Sequence, residues 1–188
     1  MVTEKDSQYN STRRSFLLKS TQIILGLGVV SVPTISCAKV LGKRSLSFFH
    51  TRTQQELTIS YVSGKAYDRN ALAQINKFLR DYQTGQIHSI DPKLLDILWA
   101  LQREMGRKGV YEVISGYRSP KTNKGLRRSH SGVANRSLHM KGQAIDIRYS
   151  GGNIAQIHEC AVAMASGGVG YYPKAGFVHL DSGQVRTW

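Results

Sequence analysis

Ser137-Leu138-His139-Met140-Lys141-Gly142-Gln143-Ala144-Ile145-Asp146 is the stretch whose reading decides the fold. It sets a His and an Asp seven residues apart, and a second His, His179, follows 33 residues after Asp146. From Ala144 to Tyr149 the chain alternates, with Ile145 and Ile147 on one side and Asp146 and Arg148 on the other, the period of a half-buried strand. Phe177 to Asp181 alternates the same way: Val178 and Leu180 point inward, while His179 and Asp181 share the opposite face. Two such strands make a frame on which polar groups can converge. Gly142 and Ala144 are small enough for close backbone approach.

His139, Asp146 and His179 therefore form a candidate two-His, one-carboxylate zinc triad. Three protein ligands leave a fourth position for water, as a catalytic zinc site requires, whereas a structural site is normally closed by four. The same three residue types also sit on solvated strand faces with no metal. Spacing alone leaves both readings open.

Outward from this stretch, most of the chain reads as short elements. Ser45–His50 and Glu56–Val62 alternate as a hairpin turning near Thr51–Gln54. Asn70–Tyr82 carries Leu72, Ile75, Leu79 and Tyr82 on one helical stripe, with Asp68 or Asn70 as cap. Asp91-Pro92 opens a second helix lined by Leu94, Leu98, Leu101 and Met105. Val110–Ile114 is a strand that delivers Arg118 into the turn Ser115–Pro120. Lys121–Arg136 is basic, lacks a period and reads as a long loop. Asn153–Ala165 is a third helix, ended by Gly167-Gly168. Gly168–Tyr172 and Phe177–Asp181 read as paired strands, and Trp188 is expected to pack on the domain. The expected fold class is α+β: one compact domain, a small antiparallel sheet carrying the site, and about three helices packed on it.

Four motifs in this order resemble a known family: Ser115-Gly116-Tyr117-Arg118-Ser119, Ser137 to Asp146, Gly168 to Pro173, and Val178-His179-Leu180-Asp181. They are similar to the D-alanyl-D-alanine metallopeptidases, within the zinc group that includes lysostaphin-type enzymes and hedgehog domains, and more narrowly to the murein endopeptidase K type. The likeness spans roughly Ser45 to Trp188. It implies one zinc ion held by His139, Asp146 and His179, and peptide cross-links of peptidoglycan as substrate. It also implies that Arg118 lies over the metal, where a guanidinium can hold a developing oxyanion. A metal-activated water would attack the amide, and a general base must move its proton. Many members carry Glu three residues before the last metal His, and others His two residues before; this chain has Gly176 and Phe177. Asp181 is the candidate base, with orientation of a ligand as its alternative role. Two other functions stay open: a carboxypeptidase or dipeptidase trimming stem peptides, and a wall-binding domain without turnover. Which cross-link is cut, 4-3 or 3-3, is also left open.

The chain has 188 residues, 40% of them hydrophobic, enough for one domain with a real core. Its net charge is +14, from 26 Lys and Arg against 12 Asp and Glu, and suits an anionic partner. Residues 1–38 choose among such partners. Thr12-Arg13-Arg14-Ser15-Phe16-Leu17-Leu18-Lys19 is a twin-arginine export pattern, and an apolar stretch from Thr21 to Ile35 follows. That stretch, with its Gly, Ser, Thr and Pro33, is short for a membrane span. Ser36-Cys37-Ala38 offers a cleavage site, with lipoprotein processing at Cys37 as the alternative. The domains expected are a twin-arginine signal over 1–38, a linker over 39–44 and a zinc peptidase domain over 45–188. The mature protein is expected in the periplasm or otherwise outside the cytoplasm, as a monomer without a nucleic-acid partner or stable membrane span. Cys160 and His158 fall in the third helix as core or surface residues, His50 reads as structural, and His88 and His130 stand outside the metal motif.

Overall fold

The computed structural model describes residues 42–129 and 133–188. The export pattern, residues 39–41 of the linker and His130 lie outside the described residues. Strands β1 (Arg44–His50) and β2 (Gln55–Ser63) form the expected hairpin, turning over Thr51–Gln54. The short β3 (Ala66–Tyr67) pairs with β2. Helix α1 (Arg69–Phe78) starts where Asp68 accepts the Asn70 and Ala71 N–H groups at 2.8 and 3.1 Å. It ends before the expected Tyr82 because Asp81 takes the Gln83 and Thr84 N–H groups onto its own side chain at 2.9 and 3.3 Å. A short acidic side chain competes in this way with the helical backbone pattern.

Helix α2 (Pro92–Glu104) has the Asp91 cap and buries Leu94, Leu98 and Leu101 completely. Strand β4 (Tyr111–Ser115) follows. Then comes helix α3 (Pro120–Ser129), inside the stretch that reads as a loop. Its buried contacts are polar, Thr122 and Asn123, so no apolar period announces it. Ser119 starts it by accepting the Thr122 N–H at 3.2 Å, with Pro120 at the first helical position. The single 3-10 turn Leu138–Lys141 leads into β5 (Ala144–Tyr149). Helix α4 (Ile154–Met164) carries a reciprocal cap between Asn153 and Gln156. Strands β6 (Gly168–Tyr172), β7 (Phe177–Asp181) and β8 (Arg186–Thr187) complete the described chain.

The fold is α+β in one compact domain, as expected, but its sheet is neither small nor purely antiparallel. Eight strands lie in the order β3-β2-β1-β4-β5-β7-β6-β8. β1 runs parallel to β4, and β6 parallel to β8. Among the described residues four α-helices accompany it, where about three were expected. The sequence lacks any sign of the β1–β4 pairing because Phe48 and Tyr111 meet only in three dimensions.

The alternation read in the sequence assigns the faces. Ile145, Ile147, Val178, Leu180, Tyr111 and Val113 join Ile75, Leu94, Leu98 and Ile157 of α1, α2 and α4 in one buried cluster. The opposite face carries Asp146 on β5 and His179 on β7, which are direct register partners. On β6, Gly170 is the register partner of His179. On β4, an irregularity between Val113 and Ser115 sets Ser115 opposite Asp146. A bulge of this kind re-aims a side chain at the cost of one ladder step. Ser115, Asp146, His179 and Gly170 thus form one row across four adjacent strands.

Candidate metal centre

His139 comes to this row from the 3-10 turn. The turn ends at Gly142, whose φ of 66° is left-handed and whose missing Cβ leaves room for the Ser89 carbonyl. Asp91 closes the joint by donating its N–H to the Gly142 carbonyl at 2.9 Å. The His139 ring is buried, at 1% exposure, and its Nδ1 donates to the Gly116 carbonyl at 2.7 Å. That bond fixes the tautomer and turns the Nε2 lone pair toward the row.

Three ligand atoms meet there. His139 Nε2 lies 3.2 Å from Asp146 Oδ1 and 3.2 Å from His179 Nδ1, and His179 Nδ1 lies 2.8 Å from Asp146 Oδ1. Zinc bonds of about 2.0–2.2 Å at tetrahedral angles require ligand atoms roughly 3.3 Å apart. The triangle has that size. Among the described residues this is the one group of three or more His, Cys, Asp or Glu able to hold a metal ion. Each ring nitrogen outside the triangle is also engaged, His139 Nδ1 by Gly116 and His179 Nε2 by Asp181 Oδ2 at 3.2 Å. Metal-binding histidines are normally held in this way by a carbonyl or carboxylate behind them. The donor set and its surroundings fit zinc.

The electrostatics of His139 and Asp146 agree. Burial pushes the His139 imidazole below its ordinary value, against the pull of Asp146, and favours the neutral ring a metal needs. Burial would raise Asp146, but His139, His179 and Arg118 together hold it well below the usual carboxylate range. His179 is pushed down by burial and raised on balance by the carboxylates of Asp146 and Asp181 at its two nitrogens.

Arg118 stands at the β4 end of the row. Its Nε donates to Ser115 Oγ at 2.7 Å, one Nη reaches Asp146 Oδ2, and the same Nη lies 3.1 Å from His139 Nε2. Asp181 stands behind His179 and is buried, at 1% exposure. Its Oδ1 accepts the Gly168 and Gly183 N–H groups at 3.1 and 2.9 Å, and Arg186 grips both oxygens at 3.1 and 2.6 Å. Burial alone would raise its carboxyl, but His179, Arg186 and the Gly183 N–H outweigh it and hold the group far below the usual range. A carboxylate so engaged is a poor proton acceptor.

Two contributions escape sequence reasoning. Asp81 Oδ2 accepts the Ser119 N–H at 2.8 Å and the Thr122 hydroxyl at 2.5 Å, anchoring the residue after Arg118. Nothing around Asp81 in the sequence marks it beyond the end of a helix. Trp188, expected only to pack, has its ring 5.2 Å from that of His179. His88, exposed and outside the metal motif, stacks on Tyr117 with ring centroids 4.8 Å apart, beside the Arg118 loop.

Comparison with known proteins identifies the family. A family model described as peptidoglycan L,D-endopeptidase MepK matches residues 38–188. The peptidoglycan L,D-endopeptidase MepK of Escherichia coli (strain K12) is 38% identical over 181 residues, covering 96% of this chain and 99% of that protein. The protein of the same name from Shigella flexneri is equally similar. The probable peptidoglycan L,D-endopeptidase MepK of Haemophilus influenzae is 36% identical over 167 residues, covering 88% of this chain and 90% of that protein.

Proposed function

Because the chain belongs to the peptidoglycan L,D-endopeptidase MepK family, we propose that it hydrolyses peptide cross-links of peptidoglycan at a single zinc site. The observation that carries the metal reading is the triangle of His139, Asp146 and His179 ligand atoms, with both outer ring nitrogens already engaged. When bound, zinc would acidify a water molecule and polarise the scissile carbonyl. In this reading the chain's own groups do the rest. Gly116 and Asp181 hold the two imidazoles in the tautomers that present Nε2 of His139 and Nδ1 of His179. Arg118, the charged group at the edge of the triangle, offers its donors to the oxyanion of the tetrahedral intermediate. Of the two roles considered for Asp181, its surroundings support orientation of His179 rather than proton transfer.

The relatives' names specify an L,D bond. Of the two cross-links, the 3-3 link joins an L-centre of one diamino acid to the D-centre of another, so that link is the proposed substrate. The reading extends to location. The twin-arginine pattern at Thr12–Lys19 and the start of the family match at residue 38 support an exported domain preceded by a signal over 1–38. No helix among the described residues is long and apolar enough to cross a membrane.

The test is muropeptide profiling of whole peptidoglycan incubated with residues 39–188, with and without chelator. We expect 3-3 dimers to fall to monomers only without chelator. Release of single D-amino acids from an unchanged dimer pool would replace the endopeptidase reading with a trimming enzyme. Persistent cleavage under chelation would overturn the zinc assignment.

A further inference from the structure

Across the sheet the row reads Ser115, Asp146, His179, Gly170, and the two ends are furnished differently. Arg118 occupies the β4 end. Above Gly170, at the β6 end, lies the indole of Trp188. A Cβ on Gly170 would come within 2.7 Å of that ring, so the glycine is the seat on which the indole rests. Three further contacts fix it there. Trp188 Nε1 donates to the Tyr172 hydroxyl at 2.7 Å. Its backbone extends the parallel pairing of β8 with β6, donating to the Val169 carbonyl at 3.2 Å and accepting from the Tyr171 N–H at 3.0 Å. The Arg186 guanidinium, already clamped to Asp181, packs over the ring at 4.8 Å.

So firmly held an aromatic would ordinarily be buried, yet Trp188 is 49% exposed. Its ring lies 5.2 Å from that of His179, and Tyr172, which accepts its N–H, stacks in turn on Phe177 at 4.6 Å. A large apolar surface, prepaid in conformational entropy and left bare beside a reactive centre, is what recognition of a peptide requires.

We propose that Trp188 forms an apolar subsite flanking the metal triad opposite Arg118, and that it takes the aliphatic chain of the stem peptide beside the scissile amide. This rests on the endopeptidase reading above. Arg118 and Trp188 then divide recognition, a cation for the carbonyl oxygen on one side and an indole for the hydrocarbon chain on the other. Trp188 contacts substrate without taking part in bond making, so its effect falls on binding.

The chain has two tryptophans, and Trp99→Phe leaves Trp188 as the sole indole reporter. Trp99 lies on α2, between the Arg44 and Arg103 guanidinium groups. Purified 3-3 cross-linked muropeptide dimer is titrated into this variant in the presence of chelator, so that binding is read without turnover. We expect a saturable blue shift of the emission. In the metal-loaded protein, Trp188→Ala is expected to raise KM about tenfold with kcat within about twofold of wild type, and Trp188→Phe to recover most of the loss. Bound zinc is measured on each variant to separate substrate binding from damage at His179. Emission that does not respond to saturating dimer, or a Trp188→Phe protein losing as much as Trp188→Ala, overturns the subsite. A wild-type protein that cleaves the dimer while Trp188→Ala cleaves it with the same KM overturns the subsite alone. A wild-type protein that cleaves no dimer overturns the endopeptidase reading, and the subsite with it.

Discussion

At the residue scale the site rests on the difference between groups that face the metal position and groups that stand behind it. Arg118 faces it, and Asp181 stands behind His179. Their variants should therefore fail differently. Arg118→Ala is expected to lower kcat about 10²- to 10³-fold with zinc content retained, since removing one oxyanion donor costs that much. Asp181→Asn keeps shape but gives up the charge that holds His179, and should weaken zinc affinity about 10- to 100-fold. Competition with a chromogenic chelator measures the second effect and turnover at saturating zinc the first. If Asp181→Asn bound zinc normally yet lost all turnover, Asp181 would regain its candidacy as the base. The convergence of His139, Asp146 and His179 was legible in the sequence because strand alternation and the Ser137–Asp146 motif both pointed to these residues. The role of Asp181 was not, because the grip of Arg186 and of the Gly168 and Gly183 N–H groups appears only once β6, β7 and β8 lie together.

At the scale of elements, the loop that carries Arg118 is held from the segment just after α1. Tyr117 donates its N–H to the Leu79 carbonyl at 2.9 Å, Gly116 has no room for a Cβ against that same carbonyl, and Asp81 secures Ser119 and Thr122. Burial would raise the Asp81 carboxyl, but bonds from Ser119, Thr122 and Gln83 outweigh it and hold it at about 2. A carboxyl lowered on folding stabilises the protein above its unfolded value, and that contribution is lost as pH falls toward 2. Asp81→Asn should thus cost about 2 kcal/mol at neutral pH and flatten the fall in stability below about pH 4, read as denaturation midpoints at several pH values. An undiminished acid dependence would remove Asp81 from this account. The helices with apolar stripes, α2 and α4, were readable from sequence to within a residue or two. Helix α3 was not, because Thr122 and Asn123 fill its buried side and a polar contact leaves no hydrophobic period.

At the scale of the whole molecule, the core and the reactive row occupy opposite faces of one sheet. The metal triad adds nothing to the buried cluster of Leu94, Leu98, Ile145 and Val178. Chelation should accordingly abolish cleavage while circular dichroism stays that of a folded protein. One pH-sensitive group does belong to the core. His50 is 1% exposed beside Phe78 and Tyr82, its Nδ1 accepts the Arg52 N–H at 3.2 Å, and its Nε2 has no partner among the described residues. Burial, aided by the nearby Arg80, pushes its imidazole below the ordinary value. A histidine lowered on folding contributes stability above its unfolded value and loses it as the solution becomes more acidic. The melting temperature should therefore fall between pH 7 and pH 5, and His50→Phe should lose less over the same interval. Equal losses would exonerate His50. The α+β class was legible because the alternating and helical periods are clean, but the extent of the sheet was not, since its β1–β4 pairing joins segments with no local signal for each other.

The position of β7 has a consequence for the life of the newly made chain. His179 reaches His139 and Asp146 only when β7 has slotted between β5 and β6. A ribosome delivers His139 and Asp146 first, and two ligands without the third grip zinc weakly. If the chain is the exported zinc peptidase proposed above, its metal site would be incomplete through most of synthesis, and a bound metal would then mark a chain whose folding is finished.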